Sequence, residues 1–322
     1  MRAIQITEHG GPEVLLPAEL PVPEPGEGQL LVTVDAAGVN YIDTYQRTGA
    51  YPLALPFVPG LEGAGTVTAV GAGVDDAAVG DRIAWAAAMG SYAEQVVVTA
   101  DKAVPVPDDV DAETAAASML QGMTAHYLTV STYPVQPGDT VLVHAAAGGV
   151  GLLLTQWITM RGARVIGTVS TDAKERLARE AGAAEVLRYS DDLAERVRDL
   201  TGGVGVAAAF DGVGASTFDA SLGSLRCRGT LVLYGAASGP VPQVDPQRLN
   251  SAGSVFLTRP NLVHHTATRE ELLWRAGDVF DVVRSGALRI SVGGRYPLTD
   301  ARIAHEDLQG RRTTGKLLLL PR

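Results

Sequence analysis

What this chain lacks narrows its function before any motif does. It has one cysteine, Cys227, set between Arg226 and Arg228 where the pattern reads as a helix end. That excludes an internal disulfide and a cysteine-rich metal cage, and an inert surface thiol is the expected reading. Basic residues are outnumbered: 26 Lys and Arg against 36 Asp and Glu give a formal net charge of −10. Such a charge repels phosphate backbones, and Arg311-Arg312 is too short a cluster to reverse it, so no nucleic acid partner is expected. No apolar run reaches the length of a membrane span, so no membrane partner is expected either. The start, Met1-Arg2-Ala3-Ile4-Gln5-Ile6, enters a strand pattern without the charged, apolar and cleavage regions of a signal peptide, and a cytoplasmic protein is expected. Long-range repeats and low-complexity tracts are absent.

What is present suits a soluble globular protein of two domains. The 322 residues exceed the usual size of one domain, and 46% hydrophobic against 19% charged residues provides apolar surface for two cores. Residues 1 to about 122 read as strands and turns: Gln29 to Ala36 alternates around Leu31, Val32 and Val34, and Gly63 to Val70 and Ser91 to Thr99 do likewise. Pro and Gly punctuate this lobe at Pro17 to Gly28 and Pro56 to Gly65, which suits an irregular β-barrel. After a helix over 112–133 the pattern becomes βα. Strands are expected at 140–143, 163–169, 184–189, 206–211, 229–235 and 254–258, with helices at 152–160, 171–182, 190–200, 215–226 and 269–285. Tyr296 to Leu298, a helix near Asp300 to Leu308, and Gly315 to Leu320 return to the β lobe. The expected division is 1–122 with 287–322 in the β lobe, and 123–286 in an inserted, doubly wound parallel-sheet domain of α/β class.

The most informative stretch is Thr140-Val141-Leu142-Val143-His144-Ala145-Ala146-Ala147-Gly148-Gly149-Val150-Gly151, a strand that runs through a glycine turn into an apolar helix. Without Cβ atoms at Gly148 and Gly149, backbone N–H groups can approach a pyrophosphate. Gly151 lets helix pack on strand, and the helix N-terminus adds partial positive charge. Ala146 stands where the first glycine of G-x-G-x-x-G would be, so the βα repetition, not the turn alone, carries the inference of a bound dinucleotide. An NAD-preferring site places an acid at the end of its second strand. Here the strand ends Thr168-Val169-Ser170-Thr171, with Lys174 one helical turn on and Arg188-Tyr189 closing the third strand. A hydroxyl, a cation and a phenol can bind a 2′-phosphate; equally, Lys174 among Asp172, Glu175 and Arg176 can be a solvated helix charge.

Four motifs together settle between such alternatives: His9-Gly10-Gly11-Pro12-Glu13-Val14-Leu15, Gly38-Val39-Asn40-Tyr41-Ile42-Asp43-Thr44-Tyr45, Pro59-Gly60-Leu61-Glu62-Gly63-Ala64-Gly65, and the turn from His144 to Gly151. In order and spacing, from Arg2 to Leu320, the chain resembles the zinc-free, zeta-crystallin-like quinone oxidoreductases of the medium-chain dehydrogenase/reductase superfamily. The resemblance implies a GroES-like lobe, a Rossmann domain, an active site in the cleft between them, and a homodimer formed by edge pairing of the sixth Rossmann strand. It implies NADPH, because positions matching Ser170, Lys174 and Tyr189 contact the 2′-phosphate in that family, with Thr171 beside them. Asn40, Tyr41, Ile42 and Asp43 match the loop beside the nicotinamide. Tyr127 matches a further contact, Gly149 and Val150 the pyrophosphate turn. Val213, Gly235, Ala236, Ala237, Ser238, Asn261 and Leu262 lie at strand ends, where such sheets bind ligands, with packing the alternative role for Val213 and Leu262.

Zinc alcohol dehydrogenases of the same superfamily have a ligand Cys where this chain has Asn40 and a ligand His where it has Leu61. Of the usual set only Glu62 remains, and His264-His265 reads as a loop or surface pair. Without a Lewis acid to lower an alkoxide pKa, alcohol oxidation is disfavoured, whereas a quinone accepts hydride without a metal because aromatisation drives the step. The expected partner is thus a quinone or other electrophilic small molecule. Asn40, as an amide donor to a developing oxyanion, and Tyr45, as a ring wall or hydroxyl donor, are the candidate acceptor contacts; a structural role is the alternative for each. Gln121 and Tyr51 are further candidates for the same lining. Rival readings are an NADPH-dependent enoyl or alkenal reductase of the same scaffold, and a low-turnover NADPH-binding sensor. The missing ligands at Asn40 and Leu61 predict that purified protein carries no stoichiometric zinc and keeps its activity through exhaustive chelation. Metal analysis with activity before and after chelation checks this; one zinc per chain with activity lost on removal would contradict it.

Overall fold

In a computed structural model all 322 residues are described, and they form two compact units. The first comprises Met1–Met123, Thr266–Gly286 and Ile290–Arg322, the second Thr124–His265 with Ala287–Arg289. No helix is long and apolar enough to cross a membrane.

The first unit is organised by one long strand, Gln29–Val39. One of its edges carries Glu62–Val70, antiparallel; the other is shared, with Gln95–Thr99 along its first half and Lys316–Leu320 along its second. Its eleven residues are long enough for two strands to share that edge, and on the other the register with Glu62–Val70 slips between Leu31 and Val32 and again between Val34 and Ala36, irregularities that bend a sheet. Strands Val292–Pro297, Arg82–Trp85 and Val104–Pro105 complete a seven-stranded, mostly antiparallel sheet. Its inward alternation of Leu30, Val32 and Val34 meets Ile4, Val67, Trp85, Val98, Leu317 and Leu319 in one apolar core. The architecture is the GroES-like lobe that the resemblance implied.

One element is distributed differently from the sequence expectation. Helix Arg269–Arg284, expected in the parallel-sheet segment, belongs to the first unit. Its first turn is capped by Thr268, whose side chain accepts from the Glu271 N–H. Arg269 donates to the Ala103 carbonyl and pairs with Asp76 at 3.1 Å, and Arg284 pairs with Asp109 at 2.8 Å. The apolar stripe of Leu272, Ala276 and Val279 is buried there.

The second unit is a six-stranded parallel sheet in the order Glu185–Arg188, Arg164–Val169, Thr140–Val143, Val206–Asp211, Leu225–Leu233, Phe256–Thr258. Counted along the chain this is 3-2-1-4-5-6, the doubly wound order of a Rossmann domain. The central strands are continuous apolar runs (Val141, Leu142 and Val143; Ala208, Ala209 and Phe210), all fully buried, as strands covered on both faces must be. All six expected strands form, with two shifts. The fifth begins at Leu225, four residues early, pairing with Val206 before a register shift to Ala208 opposite Thr230. Cys227 therefore lies exposed in a strand, and the helix before it, Phe218–Ser224, is shorter than expected. The sixth is only Phe256–Thr258, because Ser254 takes a left-handed φ of 55°.

Candidate active site and nucleotide site

In the second unit, strand Thr140–Val143 delivers the chain into the turn. Ala145 adopts φ 50°, the Gly148 N–H closes onto the Ala145 carbonyl at 2.8 Å, and helix Gly149–Met160 begins. A Cβ at Gly151 would stand 2.2 Å from the Ala145 oxygen, so only glycine lets the helix meet the turn this closely. The turn thus has the shape a pyrophosphate cradle requires, with free helix N–H groups at its mouth.

Around it the C-terminal strand ends bring together most of the candidate cofactor residues. Ser170 and Thr171 are exposed at the end of Arg164–Val169, with Thr171 also capping helix Asp172–Glu180 by accepting from the Lys174 N–H at 3.3 Å. No acid stands at that strand end. The acids one turn on, Asp172 and Glu175, pair with Arg188 at 2.6 and 2.7 Å, so the corner that holds Lys174 is not left acidic. Tyr189 is 38% exposed, and its hydroxyl accepts the Ala145 N–H at 2.9 Å. After the fourth strand, Val213 and Gly214 donate their N–H groups to Asp211, and after the fifth, Ser238 donates to the Val213 carbonyl at 2.8 Å. Gly235, Ala236 and Ala237 lie in that same connection. Asn261 accepts from the Val263 N–H and starts the short helix Leu262–His265. His265 is not a loop residue: its ring stacks on buried Tyr127, centroids 4.3 Å apart and planes 8° apart.

In the first unit the candidate residues sit on a buried polar chain. Asn40 caps helix Tyr41–Arg47, its backbone N–H donating to Asp43 at 2.8 Å. The stretch of Asn40 to Asp43, expected as a loop, is therefore a helix start. The Asn40 amide donates to Glu62 at 2.8 Å and to the Gly38 carbonyl at 3.4 Å, while its oxygen accepts from Lys316 at 2.8 Å and from Gln121 at 3.4 Å. Lys316 in turn forms an ion pair with Glu62, and both are fully buried. The second Glu62 oxygen accepts the Leu120 N–H at 2.6 Å. A Cβ at Gly38 would fall 2.3 Å from the Glu62 carboxylate, so glycine there makes room for the pair.

Asn40 was expected to donate its amide to a developing oxyanion. A structural role was the alternative, and the structure favours it: Asn40 is 3% exposed, and its amide is bonded to Glu62 at 2.8 Å with the Gly38 carbonyl at 3.4 Å. Tyr45 remains half-buried in an aromatic row, 6.4 Å from Tyr41 and 5.4 Å from Tyr51 between ring centroids, and the Tyr41 hydroxyl donates to the Leu308 carbonyl at 3.1 Å.

Behind Asn40 the chain continues. Tyr92 donates to Asp43 at 2.9 Å, the Tyr92 oxygen lies 3.0 Å from His305 Nε2, and Arg47 lies 2.9 Å from His305 Nδ1. Since arginine only donates, Nδ1 is the bare nitrogen and Nε2 carries the proton given to Tyr92. Burial, with the Arg47 cation beside it, holds His305 down to about 3, so the ring is neutral at physiological pH. Burial pushes the Asp43 carboxyl up to about 7, against the bonds from Asn40 and Tyr92 and the charge of Lys316. Sequence reading missed Lys316, Tyr92, Arg47 and His305, and gave Glu62 no role. One signal was available: Lys316 heads Leu317-Leu318-Leu319-Leu320, and a cation in an apolar strand must find an anion.

Comparison with known proteins fits this geometry. Residues 26–108 match the alcohol dehydrogenase GroES-like domain, and residues 149–271 the zinc-binding dehydrogenase family. A quinone oxidoreductase of Salmonella typhimurium is 46% identical, over 99% of both chains. A 2-haloacrylate reductase of a Burkholderia species is 42% identical, over 99% of this chain and 98% of its own. A mycobacterial protein solved in complex with NADPH superposes with a TM-score of 0.98 at 59% identity, each chain fully covered. With the lobe, the doubly wound sheet and these full-length identities agreeing, the chain belongs to the quinone oxidoreductase family of the medium-chain dehydrogenase/reductase superfamily.

Proposed function

We propose that this protein is an NADPH-dependent quinone reductase that transfers hydride without a metal. The observation that carries the reading is the Asn40, Glu62 and Lys316 cluster. Where the zinc branch has a thiolate, this chain has an amide, and the neighbouring carboxylate is neutralised by a buried ammonium. A divalent cation would there meet a buried ammonium and a carboxylate already paired with it, and no group of three or more His, Cys, Asp or Glu could hold one. An acceptor that needs no Lewis acid suits such a site.

In this reading the second unit holds NADPH: Gly148, Gly149, Val150 and Gly151 at the pyrophosphate, and Ser170, Thr171, Lys174 and Tyr189 at the 2′-phosphate. Asn40, Tyr41, Ile42, Asp43 and Tyr127 serve the nicotinamide half, Asn40 and Asp43 as buried supports behind Tyr41 and Ile42, with Val213, Gly235 to Ser238, Asn261 and Leu262 assigned to the rest of the cofactor. When bound, NADPH supplies the hydride. The chain's own residues bind, orient and exclude water: Tyr45 and Tyr51 offer ring surface to a planar acceptor, and the Asn40 cluster acts as a fixed support. The oxyanion of the reduced quinone takes its proton from solvent.

The identity to a 2-haloacrylate reductase favours one second reading, hydride delivery to an activated alkene. An acceptor panel with NADPH separates the two. Rapid turnover of benzoquinone and naphthoquinone is expected; negligible quinone turnover beside rapid reduction of enones or haloacrylates would transfer the assignment, and no turnover with any acceptor would favour a sensor.

Replacing Lys174 with Ala should weaken NADPH roughly tenfold to a hundredfold, the scale of a charge-assisted phosphate contact of about 1.5–3 kcal/mol, and leave NADH nearly unchanged. Titration of both cofactors against parent and variant checks this; equal affinity of the parent protein for the two would sink the assignment.

We also infer a homodimer joined through Phe256–Thr258, an edge strand whose Phe256 is 62% exposed. Sedimentation at micromolar concentration is expected to show a dimer, and a stable monomer would refute the pairing.

A further inference from the structure

The second unit contains a buried histidine that the proposed chemistry does not use. His144 follows directly on strand Thr140–Val143 and is fully buried. Its Nδ1 lies 2.9 Å from Thr168 Oγ1 and its Nε2 2.9 Å from Ser221 Oγ. Ser221 donates its only hydroxyl hydrogen to Asp211 at 2.7 Å, so its oxygen must accept from His144. Nε2 therefore carries the ring proton, Nδ1 is bare, and Thr168 donates to it. The ring is neutral and held from both ends, with burial outweighing the pull of Asp211 on its protonation. Asp211 is itself fixed by Val213, Gly214 and Thr217. The plane of His144 is thus set by side chains from the second strand, from the helix Phe218–Ser224 and, through Ser221, from the end of the fourth strand.

Against that fixed plane lies Tyr189. The two rings are nearly parallel, 13° apart, with centroids offset at 6.0 Å. The phenol oxygen is pinned separately, by the Ala145 N–H at 2.9 Å, and Ala145 is the residue after His144 and the left-handed head of the glycine turn. Two adjacent residues therefore fix Tyr189, one by its face and one by its hydroxyl.

We propose that His144 is a positioning residue for cofactor discrimination: by holding the Tyr189 ring at the adenosine corner it sets the preference for a 2′-phosphorylated dinucleotide while touching no part of it. This rests on the NADPH reading above. A role confined to folding would weaken both cofactors alike, whereas positioning through Tyr189 weakens only the phosphorylated one.

The test is a double-mutant cycle on the full chain, with NADPH and NADH dissociation constants measured by titration of nicotinamide fluorescence. His144→Asn should raise the NADPH constant about threefold to tenfold, the scale of losing one aromatic contact, and change the NADH constant less than twofold. Tyr189→Ala should weaken NADPH at least as much, and the double variant should be no weaker than Tyr189→Ala alone. If His144→Asn does not fold, Thr168→Val, which removes only the donor to Nδ1, reads the same ratio and should shift it in the same direction. The proposal is overturned by an unchanged NADPH constant, by equal weakening of both cofactors, or by losses that multiply in the double variant. Unchanged NADPH binding by Tyr189→Ala overturns it too, and marks the failure at the assignment of Tyr189 to the phosphate, not at His144.

Discussion

A fully buried ammonium and a fully buried carboxylate must satisfy one another, and the first unit is built around that requirement. Lys316 and Glu62 come from strands that flank Gln29–Val39 on opposite edges, so their pairing spans the strand that organises the sheet. Removing one partner of such a pair leaves an uncompensated charge at a cost of about 3–5 kcal/mol, whereas the pair itself adds little net stability. Its value lies in what it orients. Asn40 lies between the two charges, accepting from one and donating to the other, and an amide read from both ends has a single orientation. Gly38 gives the space, Leu120 occupies the second carboxylate oxygen, and Asp43 fixes the Asn40 backbone.

The second unit solves a similar problem with neutral groups. Its strand ends are tied by His144, Thr168, Ser221 and Asp211, in which each hydroxyl and ring nitrogen has one role that follows from its neighbour's. Both networks lie beside residues proposed to meet ligand, and both fix rings or amides that would otherwise choose among rotamers. Ordering a side chain costs entropy, and meeting that cost during folding leaves less to be lost on binding.

The architecture was legible because its signals are local. The six parallel strands follow from apolar runs at βα spacing, and the glycine turn from spacing that only a close helix approach requires, as the contact between Gly151 and the Ala145 oxygen shows. The assignment of helix Arg269–Arg284 was not, since it depends on Asp76, Ala103 and Asp109, all more than a hundred residues away. The same limit hid the polar networks. Asn40 could be singled out by motif, but that its amide is held at both ends depends on Glu62 and Lys316, and a lysine 276 positions distant leaves no periodicity to read. Tyr92, Arg47 and His305 are likewise ordinary residues one at a time, and acquire meaning only through the chain of contacts to Asp43.

The fixing of those groups bears on the acceptor. Hydride delivery to an alkene conjugated to a carbonyl leaves an enolate that needs protonation at carbon, a step that gains from a positioned acid. The movable protons in the Asn40 cluster belong to Lys316 and Asp43, and both are buried: the first is held by Glu62 and Asn40, and the second, a carboxyl pushed up to about 7, is bonded to Tyr92 and the Asn40 backbone. Neither is presented at a surface where a carbon could collect a proton. A reduced quinone makes no such demand, because its oxyanion exchanges protons with water rapidly and the aromatic ring is already formed. A cluster that fixes shape and withholds acid therefore favours an acceptor whose chemistry is complete once the hydride has moved.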